Sequence, residues 1–300
     1  MLALSHIRPT FKDRVYRVLV LSILVIIMVI IAYPLYFVII ASFSDPKELY
    51  RNPLMLWPKG ATLSSYELAF NNKDIWIGYR NTLIYTVLGT LINILMTVIG
   101  AYPLSRPDFV GRGVLTFFYT FTMFFGGGLI PFFLVCKALG LMNNLWVMII
   151  PGAVSVYNMI IMRTFFQSRI PAEMTESAMI DGASNIRTLF RIVLPLSTPI
   201  IGVMVLFYGV GHWNAYFNAM IFLVDRVRFP LQLFLREILV QNQVTSMLTT
   251  ATDAGDADRV MSQIGLQYVV VIIATLPIFV IYPFMQKFFT EGIMVGALKG

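Results

Sequence analysis

The sequence predicts an all-α membrane protein with six transmembrane helices, and three observations carry that prediction. Of its 300 residues 58% are hydrophobic and only 12% charged, about half the charged share of a soluble domain. Its mean hydropathy is +0.78. Apolar windows recur near 18–43, 82–104, 114–136, 145–166, 197–223 and 266–286, each about the 20 residues that cross a bilayer as helix. Six windows place both termini on one side. With 1–17 inside, the inner segments hold 12 basic against 6 acidic residues and the outer ones the remaining 10 against 9. The positive-inside bias therefore puts both termini in the cytoplasm and the chain, multi-pass, in the cytoplasmic membrane.

The elements follow in order. His6, Arg8, Lys12, Arg14 and Arg17 precede the first window, which runs from Val18 to Phe43. It exceeds the roughly 7–15-residue apolar region of a signal peptide and reads as a retained span. The external segment 44–81 contains "LWPKG", with Trp57 as an interfacial anchor. Arg106-Pro107, Gly111-Arg112-Gly113, Gly140 with Asn143-Asn144, and Pro195 with Pro199 supply turn chemistry between the later spans. A second external segment, 224–265, is polar over 241–262 and poor in large aliphatics, as expected of a mobile stretch. Cys136, the only cysteine, is expected to be a small buried hydrophobe.

One inner segment breaks the apolar pattern: "ESAMIDGASNIRTLFRIVLP", residues 176–195. Pro171 suits a first helical turn, and Glu173 and Glu176 lie near the positive end of that helix. Gly182 permits a sharp redirection after Asp181. A second helix is expected from Ser184, where Ile186, Leu189, Phe190 and Val193 are spaced to form one apolar face and Arg187 and Arg191 stand off it. Pro195 ends it. The residues alone leave two readings open: a helix lying on the inner leaflet, or a knob inserted into a cytoplasmic partner.

That segment resembles the EAA loop of ABC importer permeases. The matching positions are Glu176, Ser177, Ala178, Asp181, Gly182, Ala183, Phe190, Ile192, Leu194 and Pro195, with Ser177 standing where the motif has its first Ala. "RNTLIYTVLGTLINILMTVIGAYPLSR" (80–106), "GGGLIPFFLVCKALGLMNNLWVMIIPGAVSVYNMIIMRTFF" (126–166), "HWNAYFNAMIFL" (212–223) and "GIMVGALKG" (292–300) are similar to carbohydrate-importer permeases of the MalG-like type, most closely the LplC/YtcP-like branch. The resemblance covers nearly the whole chain and is weakest across 224–265.

It implies a type I importer fold with a cytoplasmic coupling helix. It further implies a second related permease subunit, two ATP-binding ATPase subunits and an extracytoplasmic solute-binding protein. Glu176, Ser177, Ala178, Asp181, Gly182, Ala183, Arg187 and Phe190 are then the ATPase-docking residues. Gly292, Gly296 and Gly300 belong to a tail that reaches between the ATPases. The expected division is a cytoplasmic segment 1–17, a first span with its external segment 18–81, a permease core 82–286 containing the coupling loop 171–195, and a cytoplasmic tail 287–300. Membrane lipid surrounds the spans, and no nucleic-acid partner is expected.

The chain carries no catalytic site of its own. It has no phosphate-binding G-x-x-x-x-G-K-[ST] stretch, since "FGGGLIPFF" lacks the lysine. No cofactor is therefore expected on this chain, and ATP and magnesium belong to the partner ATPase. His6 and His212 lie far apart and no cysteine cluster exists, so no metal site is expected. The spans contain no Asp or Glu, which argues against a stand-alone proton- or sodium-coupled carrier; a channel is argued against only by the EAA match. The expected cargo is an oligosaccharide or polysaccharide fragment, with a polyol phosphate or peptide as the alternative.

A sugar needs hydrogen bonds and flat apolar surfaces. Gly211, Asn214 and Asn218 are spaced to share one face of the fifth span beside Trp213 and Phe217. Asn93, Tyr119, Tyr157 and Asn158 are further polar groups within spans, and Asn93, Tyr119, Asn158, Trp213, Asn214 and Asn218 are the candidates for the substrate pathway. The alternative for each is a bond to a neighbouring helix, the commoner role of a polar residue within a span. His212 is expected to make such a bond rather than carry a proton.

Overall fold

The computed structural model describes residues 10–52, 54–248 and 254–293, with backbone alone for 50, 241–261 and 287–293. Its helices are α1 (Phe11–Ser42), α2 (Pro46–Arg51), α3 (Ser64–Asn71), α4 (Lys73–Ser105), α5 (Arg112–Phe124), α6 (Leu129–Ala138), α7 (Val156–Arg169) and α8 (Ala172–Ile180). There follow α9 (Asn185–Thr188), α10 (Leu194–Leu196), α11 (Thr198–Trp213), α12 (Phe217–Phe222), α13 (Leu231–Leu248) and α14 (Ala254–Ile293). Short 3-10 turns and one π turn complete the secondary structure, with no strand among the described residues.

Six spans are present, but only three are single helices: α1, α4 and Ser262–Gln286 of α14. The third span is bent by 115° between α5 and α6, and the fourth by 49° between Leu145–Gly152 and α7. Gly126, Gly127 and Gly128 fill the third span's break, where the sequence had suggested one uninterrupted window. The fifth window divides into α11 and α12. Beyond it, α13 and the first turns of α14 extend helix into 241–262, read from sequence as a mobile stretch. Residues 249–253 lie outside the described residues.

The chain forms two compact units. The first comprises 1–69 and 241–272. Along α1 the side chains from Val18 to Ile31 are apolar except Ser22 and largely exposed, as a lipid-facing helix requires. Only its last turn is buried, with Ile40 and Ala41 packing on Leu49 and Met55 beside Ile264 and Tyr268.

The second unit comprises 70–240 and 273–300. Its centre is α4, capped by the Asn72 side chain on Asp74 N at 2.9 Å. The C-terminal half of α4 (Val98, Ala101, Tyr102) packs on Met159, Met162 and Phe166 of α7 and on Ile200, Val203 and Met204 of α11. Its N-terminal half meets a second cluster in which Tyr85 joins Cys136, Val147, Ile149 and Phe222. Cys136 is buried there as a small hydrophobe, as its sequence setting suggests.

The loop after α12 is strapped to the N-terminal end of α4. Asn81 Nδ2 donates to Val227 O (2.7 Å) and Phe229 O (3.0 Å), and Tyr85 Oη to Arg228 O (2.7 Å). Leu231 N donates to Thr82 Oγ1 at 2.9 Å. Arg226 pairs with Asp74 at 2.7 Å and Glu237 at 3.0 Å over the rings of Phe229 and Phe234. The hydrogen bond it donates to Asp74 is the main force holding its guanidinium above the ordinary arginine range.

Candidate functional site

The interrupted polar segment folds as two helices with a defined corner. Helix α8 follows Pro171, its N-cap, and carries Glu173 in its first turn. Only Thr175 and Ala178 are buried along it. The corner has the bond pattern of a Schellman cap: Gly182 N donates to Met179 O at 3.0 Å and Ala183 N to Ala178 O at 2.9 Å, with Gly182 at φ +75°. A Cβ at Gly182 would meet nothing within 4 Å. The glycine is required by its backbone angle, not by crowding. Ser184 caps α9 through Arg187 N, and a π turn over Leu189–Val193 follows. Pro195, just beyond, has no N–H to give to Arg191 O. An 82° bend then delivers the chain into α11.

The π turn corrects the expectation of one apolar face. Leu189 and Val193 are buried in the α4–α7–α11 core, whereas Ile186 is 70% and Phe190 57% exposed. The pattern has split into an inward stripe and an outward stripe. The outward surface collects Glu176, Ser177, Ile180, Asp181, Gly182, Ile186, Arg187 and Phe190, with Ala183 half-buried at its corner. Ala178 departs from its expected place: it is buried within the chain itself. Glu176 also borders a cavity of about 310 Å³ shared with Tyr102, Arg106 and Arg112.

Beneath the loop, the carbonyls at the end of α4 are covered by other spans. Arg163 Nε donates to Leu104 O (3.0 Å), Gln167 Nε2 to Ser105 O (3.4 Å) and Arg112 Nη1 to Arg106 O (3.3 Å). Arg106 reaches back over α8 to Met179 Sδ at 3.6 Å. Cationic and amide donors suit the negative end of a helix. In the sequence Arg106 and Arg112 mark turns, and both count with Arg163 among the inner basic residues; neither reading points to this scaffold.

The pathway candidates fall into two groups. Asn93, 1% exposed, donates Nδ2 to Gly152 O at 2.5 Å, and its Oδ1 lies 2.6 Å from His212 Nε2. Trp213 Nε1 donates to Ala274 O at 2.8 Å, and its ring meets Tyr79 edge-on. Asn214 donates to Val210 O (3.1 Å) and accepts from Gln232 (3.3 Å). These three are engaged within the chain. Tyr119, Asn158 and Asn218 make no side-chain hydrogen bond among the described residues. The shared face expected for Gly211, Asn214 and Asn218 does not form: α11 stops at Trp213, Asn214 caps it, and α12 begins at Phe217. Of the tail glycines, Gly292 lies in the last turns of α14, while Gly296 and Gly300 lie outside the described residues.

Six spans thus carry an exposed helical corner at the connection between the fourth and the fifth. The comparisons fix the family. No family model matches the chain. It is 37% identical, over 96% of its length and 100% of the relative's, to the polygalacturonan/rhamnogalacturonan transport system permease protein YtcP of Bacillus subtilis (strain 168). It is 39% identical to the protein LplC of the same organism over 89% of each chain. A crystal structure of a bacterial ABC transporter involved in the import of the acidic polysaccharide alginate superposes with a TM-score of 0.84 at 30% identity, covering 93% of this chain and 98% of that one. The chain belongs to the ABC importer permeases, the membrane subunits that work with ATPase and solute-binding partners.

Proposed function

We propose that this chain forms, with a second and different permease, the membrane channel of an importer for a carbohydrate, either an oligosaccharide or a polysaccharide fragment. Two separate ATPase subunits hold ATP and magnesium and hydrolyse ATP, and an extracytoplasmic binding protein delivers the cargo. Both termini and the loop 171–195 face the cytoplasm. The observation that carries the reading is the outward surface of that loop, where Glu176 and Asp181 flank exposed Ile180, Ile186 and Phe190 on a corner fixed by Gly182. Acidic groups around apolar anchors suit a groove in a protein partner, because anchors that fill pockets dominate such interfaces. Closure of the ATPase pair would move this corner as a body and open the spans outward; reopening would release cargo inward. Tyr119, Asn158 and Asn218, free of internal bonds among the described residues, are the side chains left to meet cargo. The names of the relatives support a carbohydrate cargo.

Affinity purification of the tagged chain from its native membrane tests this. The expected result is co-purification of an ATPase and a second permease, with ATP hydrolysis stimulated by the loaded binding protein. Transport by the purified chain alone, without an ATPase, would establish a stand-alone carrier or channel instead.

A further inference from the structure

Three consecutive residues at the end of α11 tie four elements together. His212 reaches α4, Trp213 reaches α14, and Asn214 reaches α13. Two of these ties meet backbone irregularities. Gly152 O lies at the break in the fourth span and receives Asn93 Nδ2. Ile273 O stands four residues before Pro277, which has no N–H to return to it, and receives Tyr79 Oη at 2.9 Å; Trp213 Nε1 covers the next carbonyl, Ala274 O. Broken backbone at membrane depth persists only where other groups satisfy it.

The direction of each bond can be assigned. A carbonyl only accepts, so the Asn93 atom facing Gly152 O is the amide nitrogen and the other is Oδ1. His212 Nε2 must then carry the proton and donate. Room for the imidazole comes from Gly89, because a Cβ there would overlap the ring. His212 is thus packed into a notch and holds the Asn93 amide in the one orientation that caps the broken span.

We infer that His212 is a positioning residue that acts through Asn93: it keeps the fourth-span break fixed to α4, so that these outer segments move as one body while the transporter alternates. The inference rests on the permease assignment, which recovery of the ATPase with the purified complex tests separately.

The test uses the assembled transporter in lipid nanodiscs, with spin labels at Leu88 on α4 and Val154 beside the break, both at exposed positions. Distances are read without nucleotide and after trapping with ADP and vanadate. The wild type should give one narrow distance in both states. His212→Gln keeps an N–H donor and should match it, whereas His212→Leu fills the space without a donor and should lose the narrow peak. Gly89→Ala leaves the histidine in the chain but displaces it, and should behave as the Leu variant; it decides the matter if His212→Leu does not assemble. An unchanged narrow peak in the deciding variant would overturn the inference, as would a distance that shifts on trapping in the wild type. A Gln variant as loose as the Leu variant would also overturn it, by removing the donor from the account.

Discussion

The hydroxyl of Tyr79 donates to the carbonyl of Ile273 across 194 positions of sequence, at 2.9 Å. That carbonyl is the one left without a helical donor by Pro277. The proline breaks a bond in α14, and a side chain of α4 supplies its replacement. Tyr79→Phe should therefore destabilise the protein by roughly 0.5–2 kcal/mol, the scale of a hydrogen bond between membrane helices. In a Pro277→Ala background, where the helix can satisfy its own carbonyl, the same change should cost almost nothing. Unfolding midpoints of the four proteins in one detergent give the cycle, and equal losses in both backgrounds would refute the replacement.

Gly182 offers a separate test of backbone against side-chain effects. Open space surrounds it, so bulk should matter little and φ should matter much. Gly182→Asn should retain ATPase binding, because Asn tolerates the left-handed region. Gly182→Val should lose most of it, at a backbone cost of about 1–2 kcal/mol before any change in the partner. Recovery of the ATPase by pull-down, normalised to permease level, measures both. Equal recovery would mean that the corner is not needed in this shape.

Asn214 and Asn218, expected from sequence to act as a pair, should now part company. Asn214→Leu removes the tie to Gln232 and should resemble Gln232→Leu, with the double variant little worse than either single change, as for residues sharing one bond. Asn218→Leu should leave assembly intact and lower transport, by up to about tenfold for a lost contact near 1.4 kcal/mol. Uptake in cells and recovery of the complex separate the two outcomes. Identical behaviour of Asn214→Leu and Asn218→Leu in both assays would restore the sequence reading.

Topology can be checked by labelling. Cysteines placed at Ser184 and Thr249 should react with an impermeant reagent from opposite faces of the membrane. Reaction of both from the same face would sink the six-span orientation.

The parts of the fold legible in the sequence were those set by composition over long stretches. Six apolar windows became six spans because about 20 apolar residues have no cheaper place than lipid. The corner at Asp181-Gly182 was legible because only glycine takes φ +75° freely there. The breaks were not. Pro277 is visible in the sequence, but the group that answers its lost bond is Tyr79, and no local pattern connects the two. The same applies to Asn93, whose polarity suggested cargo while its partners, Gly152 and His212, are 59 and 119 positions away. Helical periodicity also misplaced Asn214 and Asn218, because it assumes the helix continues, whereas α11 ends at Trp213 and a new helix starts at Phe217. The π turn over Leu189–Val193 split an apolar face for a related reason: it changes the residues per turn on which the face was counted.

The central claim is that the corner of α8 and α9 meets an ATPase. Ile186 is 70% exposed on that corner. A photoreactive group at Ile186, activated in intact membranes, should give one adduct, between this chain and an ATPase subunit. Its yield should change between nucleotide-free and nucleotide-trapped states as the loop moves. A group at the lipid-facing Ile27 of α1 should give no such adduct. Labelling of lipid alone from Ile186, in both states, would make the segment a helix lying on the membrane surface and would contradict the account.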